Sequence, residues 1–265
     1  MHAGCFDGNG LLNIIAIFHM HITQRLKAEL WNRFGSLHFP AEWDGRVYGG
    51  GKLSQRFWEY FKAIQLLDLT PDAVVLDIGG GSPTEGAGFF ATLLSTAVRG
   101  VAILDPKISA AVRSDSGISF IKEPANYETV HQLLSARPEI THITSISVFE
   151  HIAPAVREGI VRAINDAFKG DVFVSTFEYH PCRVYFEHQL TARSVSALFS
   201  PLTSYFLDEF VASPVWCENA FDQKRMARLS RTRPNIPPNF APANIPLWYP
   251  VAVRFTRFLK PNIAS

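Results

Sequence analysis

Ala73-Val-Val-Leu-Asp-Ile-Gly-Gly-Gly-Ser-Pro83 (AVVLDIGGGSP) is an apolar run that ends in an acid and three glycines. Five of its first six residues are apolar, as in a strand buried on both faces. Gly79 and Gly81 lack a Cβ, so the chain there can turn tightly and approach a ligand closely. The position that many nucleotide loops give to a last glycine is taken by Pro83. A helix expected from near Thr84 would present free N–H groups to this turn. A dinucleotide loop needs G-x-G-x-x-G, and reading from Gly79 puts Thr84 at the last glycine. Gly86-x-Gly88-x-x-Ala91 fits a looser form but falls inside the expected helix. Asp77 is an unusual neighbour for a pyrophosphate, since like charges repel, and it suits a cationic group instead. A plain glycine turn before a packed helix is the alternative.

On either side of this run the hydrophobic period alternates. Upstream, Leu26, Leu30 and Phe34 recur every fourth residue behind Thr23, and Ser54 opens a second helix with Phe57, Phe61 and Ile64 on one face. Gly45–Leu53 (GRVYGGGKL) separates the two. Downstream, short apolar strands are expected at Val101–Leu104, Ile118–Ile121, Thr141–Ser147 and Val172–Thr176, with amphipathic helices between them. Two more strands, Tyr205–Val211 and Val251–Phe258, follow a helix marked by Val195, Leu198 and Leu202. This is the pattern of a doubly wound α/β sheet covered on both faces, with an N-terminal helical cap. Residues 1–68 read as an N-terminal segment and cap, and residues 69–265 as the catalytic domain. A basic, proline-rich insertion occupies about 212–250.

The bulk numbers fit this reading. Of 265 residues, 47% are apolar and 18% charged, which suits a folded enzyme with a sizeable core. A formal net charge of +1 gives no global attraction to nucleic acid or anionic lipid. Three cysteines (Cys5, Cys182, Cys217) without C-x-x-C spacing fit a reducing compartment, hence the cytoplasm, and give no zinc signature. Leu11–Phe18 is apolar but too short to span a bilayer. It reads as a peripheral element, an overlong start or a docking helix for a partner.

VVLDIGGGSP (74–83), with AILDP (102–106) some two dozen residues on, resembles the first two motifs of the class I S-adenosylmethionine-dependent methyltransferases. ITSISVFEHI (143–152) is similar to the fourth-strand motif of their small-molecule O-methyltransferase branch. The resemblance covers about residues 50–260 and implies a Rossmann-like sheet of seven strands, mostly parallel, with an antiparallel last strand. It implies that Asp77 lies near the amino group of the cofactor's methionine part and that Gly79, Gly80 and Gly81 line the cofactor. It implies further that Asp105 takes the ribose hydroxyls, that Glu123 lies near adenine, and that Ser145 passes the methionine portion. The register at Glu123 is off by one, and Pro124 follows it. The family varies at its last glycine, and proline suits the first turn of a helix.

Methyl transfer to a hydroxyl requires alignment of the acceptor and removal of a proton. His151, just past the fourth strand, is the candidate base, with Glu150 beside it to orient the acceptor or cap a helix. The same pair also reads as residues that only position the loop. STFEYHP (175–181) ends the neighbouring strand, so Glu178 and His180 are expected to converge on Glu150 and His151. Two carboxylates and two imidazoles would suit a divalent cation, or equally a metal-free acid–base network. His188 falls in a following loop. Lys224, Arg225, Arg228, Arg231 and Arg233 would grip an anionic acceptor or form a solvated helix face. Trp216, Trp248 and Tyr249 would stack on a sugar or pack in the core. The expected activity is O-methylation of a small molecule or saccharide. An NAD-linked oxidoreductase and a non-catalytic interaction protein are the other readings.

Overall fold

Strand β1 (Val74–Ile78) is buried at all five positions, as its unbroken apolar run requires. A computed structural model describes residues 22–30, 32, 52–82, 86–109, 117–180, 188–212 and 249–258. Helix α1 (residues 22–30) and helix α2 (Lys52–Leu67) precede β1. After it come two short strands, β2 (Gly81–Ser82) and β3 (Gly86–Ala87), helix α3 (Phe89–Ser95), β4 (Gly100–Leu104) and β5 (Ile118–Ile121). Then follow α4 (Tyr127–Ala136), β6 (His142–Ile146), a 3₁₀ turn at Phe149–His151, α5 (Pro154–Ala167) and β7 (Val172–Tyr179). The described chain closes with α6 (Ala192–Phe199), β8 (Tyr205–Ala212) and β9 (Tyr249–Arg257).

Seven strands form one sheet in the order β5-β4-β1-β6-β7-β9-β8. Strands β5, β4, β1, β6 and β7 are parallel, and β9 is antiparallel to both β7 and β8. The late-joining last strand is therefore inserted between its two predecessors. Strand order reverses at β1, which pairs with β4 on one side and β6 on the other. Ligands in open α/β sheets bind beside such a reversal, at the carboxyl ends of the strands.

Side chains alternate across the sheet, so each strand feeds two cores. Val75, Ile103 and Ile146 join Leu26, Phe57, Trp58, Ile64, Phe90 and Leu94 on the face covered by α1, α2 and α3. Leu76, Ile143 and Phe173 join Val130, Ile160, Ile164 and Phe199 on the face covered by α4, α5 and α6. The N-terminal cap is thus part of one sheet-covering layer, and the 68/69 boundary runs through a continuous core. Local signals support the helices: Asn126 caps α4 by accepting from Thr129 N at 2.9 Å, and Thr191 and Ser194 form a capping box on α6.

Two expectations are corrected. The helix expected from near Thr84 begins at Phe89, because β2 and β3 pair antiparallel across Gly81–Ala87. Gly86 (φ +100°) and Gly88 (extended) lie before the helix, not inside it, where glycine would cost helix stability. Strand β7 also runs on to Tyr179, since β9 pairs with it as far as Tyr179–Tyr249, and so Glu178 lies in the strand. Pro83, Leu11–Phe18, the basic run 224–233, Trp216, Trp248 and the three cysteines lie outside the described residues. Among the described residues, no helix is long and apolar enough to cross a membrane.

Candidate functional site

A cavity of about 210 Å³ opens at the carboxyl ends of β1 and β6. Its floor is Asp77 and the turn Gly79–Gly81; Ile146, Ser147 and Val148 form one wall, and Arg56 and Tyr60 of α2 another. Tyr60 stacks on Phe90 at 5.1 Å between ring centroids, closing the side next to α3. Gly79 has φ +75°, and a Cβ there would sit 2.5 Å from Val148 Cγ2. A Cβ on Gly80 would overlap the Asp77 carboxylate, and one on Gly88 would overlap the Gly80 carbonyl oxygen. The glycines are therefore required by close approach on three sides.

Asp77 is 1% exposed and points to the α1–α3 face, as Val75 does. Thr144 Oγ1 donates to its Oδ1 at 2.8 Å. Its Oδ2 is buried with no partner among the described residues. Burial pushes the Asp77 carboxyl up to about 7; Thr144 opposes the shift and the Asp105 charge adds to it. An orphaned carboxylate oxygen beside three glycines is a place held for a donor, and most favourably a cation. Asp105, just beyond β4, accepts from Lys107 N at 2.8 Å through Oδ1 and from Gly81 N at 3.3 Å through Oδ2. Its carboxylate is thereby fixed against the glycine turn.

Sequence reasoning missed the contribution of α2. Glu59 is fully buried and accepts from Ser147 Oγ at 2.6 Å. Arg56 Nη1 lies 3.1 Å from Glu59 Oε2 and donates to the Ile146 carbonyl at 3.3 Å. Burial alone would lower the Arg56 pKa, but Glu59, Tyr60, Glu150 and Glu178 outweigh it and hold the guanidinium above its ordinary value. Ser147 takes φ +53°, unusual for a residue with a Cβ, at the tip that α2 grips. Residues 56, 59 and 60 share one helix face by their spacing, which was the available signal. That a glutamate on that face would be wholly buried depends on the tertiary packing.

The quartet expected around Glu150 comes together only in part. Glu150 is fully buried, and neither carboxylate oxygen has a partner among the described residues. Burial, then Glu178 and Glu59, raise its pKa well above the ordinary carboxylate value, favouring the neutral form. The structure thus brings Glu150 and Glu178 into one electrostatic neighbourhood with Glu59 and Arg56. His151, the next residue, is exposed, while His180 is buried, its backbone N–H donating to Leu190 O at 2.9 Å. Of the two readings of this quartet, the divalent-cation one lacks a cluster: among the described residues, no group of three His, Cys, Asp or Glu side chains is arranged to hold a metal. The reason is local, because the 3₁₀ turn buries Glu150 and exposes His151. Arg157 braces that turn from within, donating to Phe149 O at 3.1 Å and to His188 O at 2.7 Å.

Two other expected cofactor contacts lie elsewhere. Glu123 is exposed beyond β5. Ser145 is fully buried with its hydroxyl unpartnered, and alternation along β6 puts it on the α4–α6 face with Ile143. Asp77 is on the opposite face, and Ile146, Ser147 and Val148 of the same segment line the cavity instead.

No protein-family model matches the chain, and no curated protein matches it in sequence. Among solved structures it is similar to the cyclopropane synthase MmaA2 from Mycobacterium tuberculosis. The identity is 10% and the TM-score 0.51, over 82% of this chain and 87% of that one. It is also similar to an S-adenosylmethionine-dependent methyltransferase from Anabaena variabilis (14% identity, TM-score 0.48, 86% and 92% of the two chains). A third similar structure is magnesium protoporphyrin IX methyltransferase from Synechocystis (12% identity, TM-score 0.44, 88% and 97%). At these identities the likeness is one of fold, and the fold is the Rossmann-like methyltransferase fold.

Proposed function

We propose that this chain is an S-adenosylmethionine-dependent methyltransferase acting on an oxygen of a small molecule or saccharide. The observation that carries the reading is the orphaned, buried carboxylate oxygen of Asp77 at the glycine turn, with Asp105 fixed across it. A carboxylate there suits an ammonium group and repels a pyrophosphate, which disfavours a nicotinamide dinucleotide. Asp77 would hold the amino group of the cofactor and Asp105 its ribose hydroxyls, with Gly79, Gly80 and Gly81 leaving room for both. When bound, the cofactor supplies a methyl group already activated on sulfur.

The remaining task for the protein is to orient an acceptor and take its proton. Burial favours the neutral form of Glu150, which suits it to donate a hydrogen bond more than to act as base. His151, exposed on the same turn, is assigned that proton, with Glu178 and His180 of the β7 tip as neighbours that orient the acceptor. The atom methylated is not selected by the fold, since a structure with the same architecture is named a cyclopropane synthase. A screen of phenols, sugars and sugar nucleotides with labelled cofactor, with and without Mg²⁺, tests the acceptor class. On any acceptor so found, His151→Ala should lower kcat about 10²–10⁴-fold and leave cofactor affinity near wild type. Full turnover by that variant would remove His151 as the base.

A further inference from the structure

We infer that Arg56 of α2 receives the carboxylate of the cofactor's amino-acid end, while Asp77 receives its ammonium. The inference rests on the S-adenosylmethionine reading and adds to it a residue outside the glycine turn and the strand tips. An α-amino acid carries both charges on one carbon, and a cavity lined by an anion and a cation is complementary to both. The cavity supplies both: Asp77 presents an unpartnered Oδ2, and Arg56 is the only cationic side chain among the described residues that line it.

The geometry of Arg56 favours a ligand-binding role over a purely structural one. Among the described residues, both its ion pair with Glu59 Oε2 and its hydrogen bond to Ile146 O run through Nη1. A guanidinium has five N–H donors in a planar fork, so the edge formed by Nε and Nη2 remains for a bidentate carboxylate. The Arg56 side chain is partly exposed and lines the cavity. Glu59 is itself held by Ser147, so the guanidinium is anchored in place before a ligand arrives.

The test is a binding cycle read by calorimetry, with no turnover required. The probes are S-adenosylhomocysteine and its decarboxylated analogue, which keeps the ammonium and lacks the carboxylate. Wild type should bind the analogue about tenfold or more weakly than S-adenosylhomocysteine. In Arg56→Gln that difference should disappear, with affinity for the analogue close to wild type. Arg56→Lys should restore part of the difference, since it keeps the charge but loses the fork. Equal affinity of the two probes for wild type would overturn the inference without recourse to any variant. Equal weakening of both probes in Arg56→Gln would also overturn it, in favour of a structural pin. If wild type binds neither probe, the cofactor reading fails and this assignment fails with it.

Discussion

At Asp77, burial and binding oppose one another. The carboxylate is 1% exposed, and only one of its oxygens has a partner among the described residues. Its folded pKa of about 7 stands far above the ordinary 3.8. A carboxyl raised on folding contributes most below its unfolded pKa, and that contribution is lost as pH rises through the folded value. For the ligand-free protein, the Asp77 contribution therefore declines between about pH 4 and pH 7. Asp77→Asn should raise the melting temperature at pH 8 and change it little at pH 4. The gain at pH 8 should be roughly 1–4 kcal/mol, by the free energy of a shift of this size. Melting curves of the ligand-free variant at both pH values check this, and an equal effect at the two would contradict the assignment. Asp77 and Asp105 stand out in the sequence because each ends an apolar run, and the structure sets both against the glycine turn. Alternation along β6 turns the Ser145 side chain to the face opposite Asp77, which adjacency in sequence does not announce.

Among the elements, α2 and the β6 tip are tied by a buried hydrogen bond of 2.6 Å between Glu59 and Ser147. The bond holds Ser147 at φ +53°, so the helix also holds the cavity wall in an uncommon conformation. Glu59→Ala leaves Ser147 without that acceptor and should cost about 1–3 kcal/mol in chemical denaturation, with the slope unchanged. A variant as stable as wild type would show the tie to be idle. The strands were legible from their continuous apolar runs, and α5 from the fourfold recurrence of Val156, Ile160, Ile164 and Phe168. The start of α3 was not, because Gly86 and Gly88 open a short hairpin that depends on contact between Gly88 and Gly80. Burial of Glu59 was hidden for a similar reason: its covering residues come from β6, 88 positions away.

For the whole molecule, the alternation of strand and helix announced a sheet covered on both faces. The seven-strand count and the antiparallel last strand followed from the family resemblance, whereas the insertion of β9 between β7 and β8 is seen only in the structure, since hydrophobic period does not encode strand order. One topology brings β1, β4 and β6 to a reversal of strand order, and α2 closes the cavity beside it. The acceptor side was less legible, because Glu150 and His151 are neighbours in sequence with opposite exposure. The central claim is that the cavity at the glycine turn seats a cationic aminoacyl nucleoside. The direct test is calorimetric titration of wild type and Asp105→Ala with S-adenosylhomocysteine and, separately, NAD. One saturable site for S-adenosylhomocysteine is expected, weakened by about 1.5–3 kcal/mol in Asp105→Ala, with no binding of NAD. Absence of S-adenosylhomocysteine binding, or saturable binding of NAD at the same site, would contradict that claim.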